Sequence, residues 1–278
     1  MKNQNNFFYL EYGLLFGLYL FSIFTVVATA YLAGYEYFLK EMTHENGVFE
    51  TLTVIWLFAT SVYGFYALYS FRGQLSKYIS LLILAVSLLT FVAGMEEISW
   101  GQQLFHFESS AYFLEQNLQQ ETNFHNLIDG NLFSSIIYTT IYVFGVFIPL
   151  FYKIFNSYFR ENILLRYFDI NPHIILIILF SSIFQLYFYD DLGVRMDMIS
   201  HISGLLLFAY FIWKSRSDLY LKMHFLFIVV ATATSMYSYK IYEFFNMQYE
   251  IREAFVVLAT LFVFIELIKK EKDEKQHN

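Results

Sequence analysis

The chain contains no cysteine. Disulfides, thiolate nucleophiles and cysteine-ligated metals are therefore excluded. Only two prolines and 12 glycines occur in 278 residues, which leaves little room for loops. Charged residues make up 15%, against about 25% in an ordinary soluble domain. The formal net charge is −7, and no basic stripe is present, so nucleic acid is excluded as a partner. G-x-S-x-G, HExxH, P-loop and GxGxxG patterns are all absent. An ATPase or a dinucleotide enzyme is thus unsupported.

What is present is apolar. Hydrophobic residues account for 58% and aromatics for 22%, with 34 Phe and 24 Tyr. These proportions exclude a soluble globular domain, a disordered chain and a fibrous repeat. They predict an all-α polytopic transmembrane helical bundle, a single integral membrane domain over 1–278. Apolar runs give about eight spans: 8–33, 51–71, 78–99, 132–154, 172–190, 197–214, 219–239 and 251–268. The first run is too long for a signal-peptide core and reads as a retained helix. Gly13 and Gly17 form one GxxxG, a helix-packing signal. The segment 269–278 reads as a charged cytoplasmic tail.

Lys and Arg orient such a chain. Lys40, Arg195, Lys240 and Arg252 fall on one side and all other basic residues on the opposite side. This alternation predicts both termini in the cytoplasm. Most acids, including Glu50, Glu96, Glu97, Glu121, Asp197, Glu250 and Glu253, belong to the outer half. Acids contribute little to topology, so their enrichment there asks for another cause.

One loop is long, about 100–131, WGQQLFHFESSAYFLEQNLQQETNFHNLIDGN. Long loops are usually functional or disordered, and the regular Phe, Leu and Tyr argue against disorder. Ser110 and Thr122 are placed to cap two short amphipathic helices lying on the outer interface. The plain alternative is an interfacial seal on the bundle. The amides Gln102, Gln103, Asn117, Gln119, Gln120, Asn123 and Asn126 suit hydroxyl-rich ligands such as sugars and lipid headgroups.

Three patterns carry possible chemistry. Glu96-Glu97 ends the third run, and ionisable groups at membrane depth are expensive and often functional. Glu96 and Trp100 share a helical face, as do Glu97 and Gly101. Glu121-x-x-x-His125 and Asp197-x-x-x-His201 set an acid and an imidazole one helical turn apart. That spacing lets the two side chains bind one metal, or lets the acid orient the imidazole as a base. Glu97, Glu121, His125, Asp197 and His201 are accordingly candidate ligands of a divalent metal, zinc first among them. An acid and His at this spacing are also an ordinary helix-stabilising pair. Glu250 and Glu253 read as surface acids, and His173 and His224 lie towards the cytoplasmic side.

The segments GMEEISWGQQLF and NLQQETNFHNL resemble a family of bacterial multi-pass membrane proteins with EExSWGQ and ETNxHN segments. The match runs through Glu96, Glu97, Ser99, Trp100, Gly101, Gln102, Glu121, Asn123, His125 and Asn126. It implies a location in the bacterial inner (plasma) membrane and brings no activity with it. A remoter similarity is to membrane hydrolases of the alkaline ceramidase kind, which hold zinc with His and Asp at one face. Their paired His near the last helix has no counterpart here, where YEIREAF stands.

The resulting expectation is an enzyme at the outer face acting on a lipid or lipid-linked glycan. Glu97, Glu121, His125, Asp197 and His201 form a metal or acid/base set, with Glu96 or Asp191 as base. Trp100, Gln102, Asn123 and Asn126 position the headgroup. Two alternatives stand beside it. One is a transporter or flippase subunit whose acids carry protons or cations; the other is a non-catalytic scaffold with a structural polar network.

Overall fold

The structure, a computed structural model, describes residues 47–117, 119–127, 130–159, 165, 167–185, 192–215, 217, 219–237 and 249–277. Every regular element among them is helical. The first predicted span, 8–33, with Gly13 and Gly17, lies outside the described residues.

Helices α1 (Val48–Ser70) and α2 (Lys77–Glu97) form an antiparallel hairpin. Gly73, at φ 86°, makes the left-handed turn between them. Ser76 caps α2 by accepting from the Ile79 N–H at 3.4 Å. The hairpin packs closely because Gly64 carries no side chain. A Cβ there would lie 1.9 Å from Ser87 Oγ and 2.8 Å from Phe264. Thr60, Ser87 and Thr90 keep their hydroxyls on carbonyls one turn back (2.7–2.9 Å), so these small polar residues cost nothing in an apolar setting.

Helix α3 (Gly130–Tyr142) runs through a π turn at Val143–Phe147 into α4 (Ile148–Ile154). Pro149 explains the wide turn. Proline has no N–H for the carbonyl four residues back, and its ring crowds that carbonyl. Helix α5 (Pro172–Ser181) is apolar on every side, and Ile174 through Phe180 are all buried. It is the central helix of the core, as a uniformly apolar surface requires. Around it pack the π turn at Val143–Phe147, α6 (Leu192–Ser215), α7 (Leu219–Tyr237) and α8 (Tyr249–His277). Helix α8 joins the two halves, contacting α1 on one side and α5 on the other.

Four stretches are long and apolar enough to cross a membrane: Val48–Ser70, Lys77–Glu97, Ile136–Ile154 and Met198–Ser215. They are compatible with a membrane protein, and the count of eight finds no support among the described residues. Pro172–Phe184 and Leu219–Ala233 are apolar but shorter. Helix α8 is long enough, yet Glu250, Arg252 and Glu253 load one end, and Glu266, Lys269 and Lys270 the other. Its middle, Ala254, Phe255, Leu258 and Ala259, is buried inside the bundle.

The bundle has two chemically different ends. The start of α1, the end of α2 and the start of α8 meet at one end, with Glu50, Glu97 and Glu253. At the opposite end Lys153 pairs with Asp169, and the Lys270 ammonium reaches the Asp169 carbonyl.

Candidate functional site

Helix α2 ends at Glu97, and the chain reverses at once. Ser99, Trp100 and Gly101 are consecutive left-handed residues, at φ 47°, 54° and 91°. For the two that are not glycine this costs roughly 1–2 kcal/mol each. The reversal is held by polar bonds to the far arm of the loop. The buried Ser99 hydroxyl donates to Glu121 Oε2. Asn123 Nδ2 donates to both Ser99 Oγ and Glu121 Oε2, each at 3.1 Å. The Trp100 indole N–H donates to Glu96 Oε1, and the Phe124 N–H to Glu96 Oε2 at 2.6 Å.

The loop is tied a second time one step further along. Gln102 Oε1 accepts from the Thr122 N–H at 2.8 Å. Gln102 Nε2 donates to Ser109 Oγ (2.9 Å), and Ser109 in turn donates to the Gln120 carbonyl (2.7 Å). Asn117, also buried, donates to the Asn123 carbonyl and side chain, both at 2.8 Å. Its Oδ1 accepts from the Gln119 N–H at 2.9 Å and the Glu121 N–H at 3.3 Å. Asn126 Nδ2 donates to Gln119 Oε1. Segments 96–102 and 119–126 thus close on each other, and Glu96, Gln102, Glu121, Asn123 and Asn126 hold the loop's own fold.

Ala111–Gln116 is helical after Ser110, although its hydroxyl makes no capping bond. A second helix from Thr122 does not form. Residues 121–124 are non-helical, and only His125–Leu127 make a 3-10 turn. The backbone makes a tight turn there instead, the Asn123 N–H donating to the Glu121 carbonyl at 2.9 Å. Glu121 and His125 therefore do not share a helical face. The side chains of His125 and Asp197, and all of Asp191, lie outside the described residues.

Glu97 occupies a different setting from Glu121. The charges acting on it are Glu253, Glu50, Glu96 and Glu121. They come from four parts of the chain: the starts of α8 and α1, the end of α2, and the loop. Glu50 is buried and Glu97 partly so. Tyr138 of α3 closes the cluster, its hydroxyl 3.5 Å from Glu253 Oε1. Arg252 is fully buried beside it, the guanidinium lying 3.2 Å from the centre of the Tyr138 ring. A stacked Arg is less costly to bury than an ammonium, because its charge is spread and weakly hydrated. Glu50, Tyr138, Arg252 and Glu253 are the additions to the predicted set.

His201 sits deeper, on α6, completely buried. Its Nδ1 is 3.1 Å from the Tyr142 hydroxyl and its Nε2 is 3.0 Å from Thr232 Oγ1. Tyr142 and Ser182 hydroxyls lie 2.5 Å apart. Thr232 spends its hydrogen on the Ile228 carbonyl at 2.8 Å, so its oxygen accepts from His201 Nε2. This assigns the hydrogen to Nε2; Nδ1 faces the Tyr142 hydroxyl, whose hydrogen goes to Ser182 Oγ. His201 thus faces hydroxyls of two other helices, Tyr142 of α3 and Thr232 of α7, and Arg252 acts on it electrostatically.

The predicted divalent metal is overturned. Among the described residues no group of three or more His, Asp or Glu side chains is arranged to hold an ion. The physical reason is visible in the individual ligands. Glu121 is engaged by Ser99 and Asn123, and both His201 nitrogens face hydroxyls. Zinc has no support here.

Compared with protein-family profiles, curated proteins and solved structures, the chain matches none.

Proposed function

We propose that this chain is a membrane-embedded enzyme that uses carboxylates, with Glu97 as the proton-transferring group, on a lipid headgroup or lipid-linked glycan. One observation carries the reading: Glu97 is set among Glu50, Glu96, Glu121 and Glu253, contributed by four separated parts of the chain. Glu96, Glu121 and Glu253 each take a donor, from Trp100 and Phe124, from Ser99 and Asn123, and from Tyr138, whereas Glu97 takes none from the described residues. Collecting acids around one another in a poorly hydrated place is costly, and such groups are set up to pass protons to and from a reacting bond. The chemistry that fits is acid/base-assisted cleavage or transfer at an ester or glycosidic oxygen. Arg252 supplies the positive charge that favours a developing or resident anion.

The substrate class follows from position. The cluster lies where candidate span α1 begins and α2 ends, and we assign it to the headgroup layer on that ground. Trp100, 40% exposed beside Glu96, is the side chain best placed to lie against a headgroup. The charge asymmetry of the two ends favours the acid end outside a bacterial inner membrane, with the termini in the cytoplasm. A second reading applies to the loop alone. Because Glu96, Gln102, Glu121, Asn123 and Asn126 bond within it, we assign them to holding the loop rather than to chemistry.

The test is a comparison of membrane lipids and lipid-linked glycans by mass spectrometry. Cells expressing the natural chain are set beside cells expressing Glu97→Gln, at equal amounts of folded protein. The reading expects at least one headgroup species to change with the natural chain and to stay unchanged with Glu97→Gln. Identical profiles in the two would refute it.

A further inference from the structure

The opposite end of the bundle holds a cavity of about 290 Å³. It opens where two candidate spans finish together, α4 at Ile154 and α6 at Ser215. Lys153, Lys214, Asn156, Ser157 and Ser215 line it with donors, and Phe211 closes the apolar side.

Helix C-termini ordinarily repel anions, since their last carbonyls are unpaired and the dipole is negative there. Here that repulsion is cancelled. The Lys214 ammonium donates to the Ile154 carbonyl and lies 5.3 Å from the centre of the Phe155 ring. Lys153 is held from the other side by the Asp169 carboxylate. Its side chain is only 14% exposed, while its partner Asp169 is 43% exposed. An ammonium has three donors, and neither lysine spends all of them on the bonds described. Two fixed ammonium groups with two hydroxyls and an amide make an acceptor-rich ligand the natural complement.

The surroundings fix the level of the cavity in a bilayer. Trp213 and Tyr210 pack together on the same helix end, and Trp213 is 77% exposed. Tyr158 is 82% exposed on the other rim. Exposed Trp and Tyr at the ends of spans mark the headgroup layer. Basic pockets between spans at that layer are receptors for anionic headgroups.

We infer that this cavity is a binding site for a phosphate-bearing anion, either a phospholipid headgroup or a free phosphate compound. It is remote from Glu97 and independent of any chemistry there.

The experiment uses the full chain in a neutral detergent. Phosphatidylglycerol, phosphatidylcholine and inorganic phosphate are each titrated, with retention read by native mass spectrometry and protection by melting temperature. Lys214→Gln should weaken binding about fivefold, and Lys153→Gln/Lys214→Gln more. Ser157→Trp fills the cavity with both lysines in place, and should abolish binding without touching the Lys153 bridge. Lys222→Gln, an exposed lysine of α7 outside the cavity, should leave binding unchanged. Phosphatidylglycerol bound with this variant pattern supports the site and names a lipid. Protection by inorganic phosphate with the same pattern, unimproved by lipid, supports it and names a soluble ligand. The inference is overturned if phosphatidylcholine is retained equally well, if Lys222→Gln weakens binding as much as Lys214→Gln, or if no anion binds.

Discussion

The Ser99 hydroxyl donates to the Glu121 carboxylate across 22 residues of chain, from a backbone position at φ 47°. This bond, with Asn123 donating to both partners, locks the loop that covers the acid end of the bundle. Ser99→Ala removes the donor and leaves Asn123 with one acceptor fewer. The expected loss is about 1–3 kcal/mol, read from thermal unfolding of the detergent-solubilised chain. Ser99→Gly should lose about 1 kcal/mol less than Ser99→Ala, because glycine relieves the left-handed strain while losing the same bond. Equal losses would mean that strain at this position is negligible.

Gly64 of α1 faces both Ser87 of α2 and Phe264 of α8. Gly64→Ala places a methyl group 1.9 Å from Ser87 Oγ and should cost about 1–3 kcal/mol. Ser87→Ala in the same chain should recover part of that, since the Ser87 hydroxyl bonds only its own helix in this structure. The recovery is partial because Phe264 still lies 2.8 Å from the new atom. A double-mutant cycle in thermal unfolding measures the coupling, expected at about 0.5 kcal/mol or more. Strict additivity would place the helices farther apart.

His201 carries its hydrogen on Nε2 if Thr232 donates to Ile228 as described. Labelled-histidine nitrogen NMR should find that tautomer at His201. Thr232→Val should remove its acceptor and lower stability by about 1–3 kcal/mol. A hydrogen found on Nδ1, or a Thr232→Val chain as stable as the natural one, would contradict the assignment.

The helical bundle was legible in the sequence wherever a segment carried its own signal. Within the predicted span 172–190, Ile174 through Phe180 contain nothing polar, and they became the buried part of the central helix. The spans at 51–71, 78–99 and 197–214 fell within a few residues of α1, α2 and the apolar part of α6. The run at 251–268 was read as a span, yet the charges at both ends of α8 distinguish it from a lipid-facing helix.

The site was less legible, for two physical reasons. Helical spacing was assumed for Glu121 and His125, but the backbone turns tightly there, with the Asn123 N–H on the Glu121 carbonyl. Glu253 was read as a surface acid and Glu50 only as one of the outer acids, and nothing in residue spacing shows that chain segments some 200 residues apart meet. Arg252 did offer a signal: an arginine at the head of an apolar helix, on the side where basic residues are scarce. Its aromatic partner Tyr138 lies 114 residues away, and only the fold brings the two together.

The central claim is that Glu97 serves chemistry and Glu121 serves the fold. The thermal stability of Glu97→Gln, measured beside Glu121→Gln in the same detergent, separates these roles. A functional carboxylate held among other acids is a burden on the folded state, and its neutral isostere relieves repulsion. The account predicts that Glu97→Gln melts at or above the temperature of the natural chain, while Glu121→Gln melts below it. A fall for Glu97→Gln as large as that for Glu121→Gln would show Glu97 to be part of the structural network and would contradict the account.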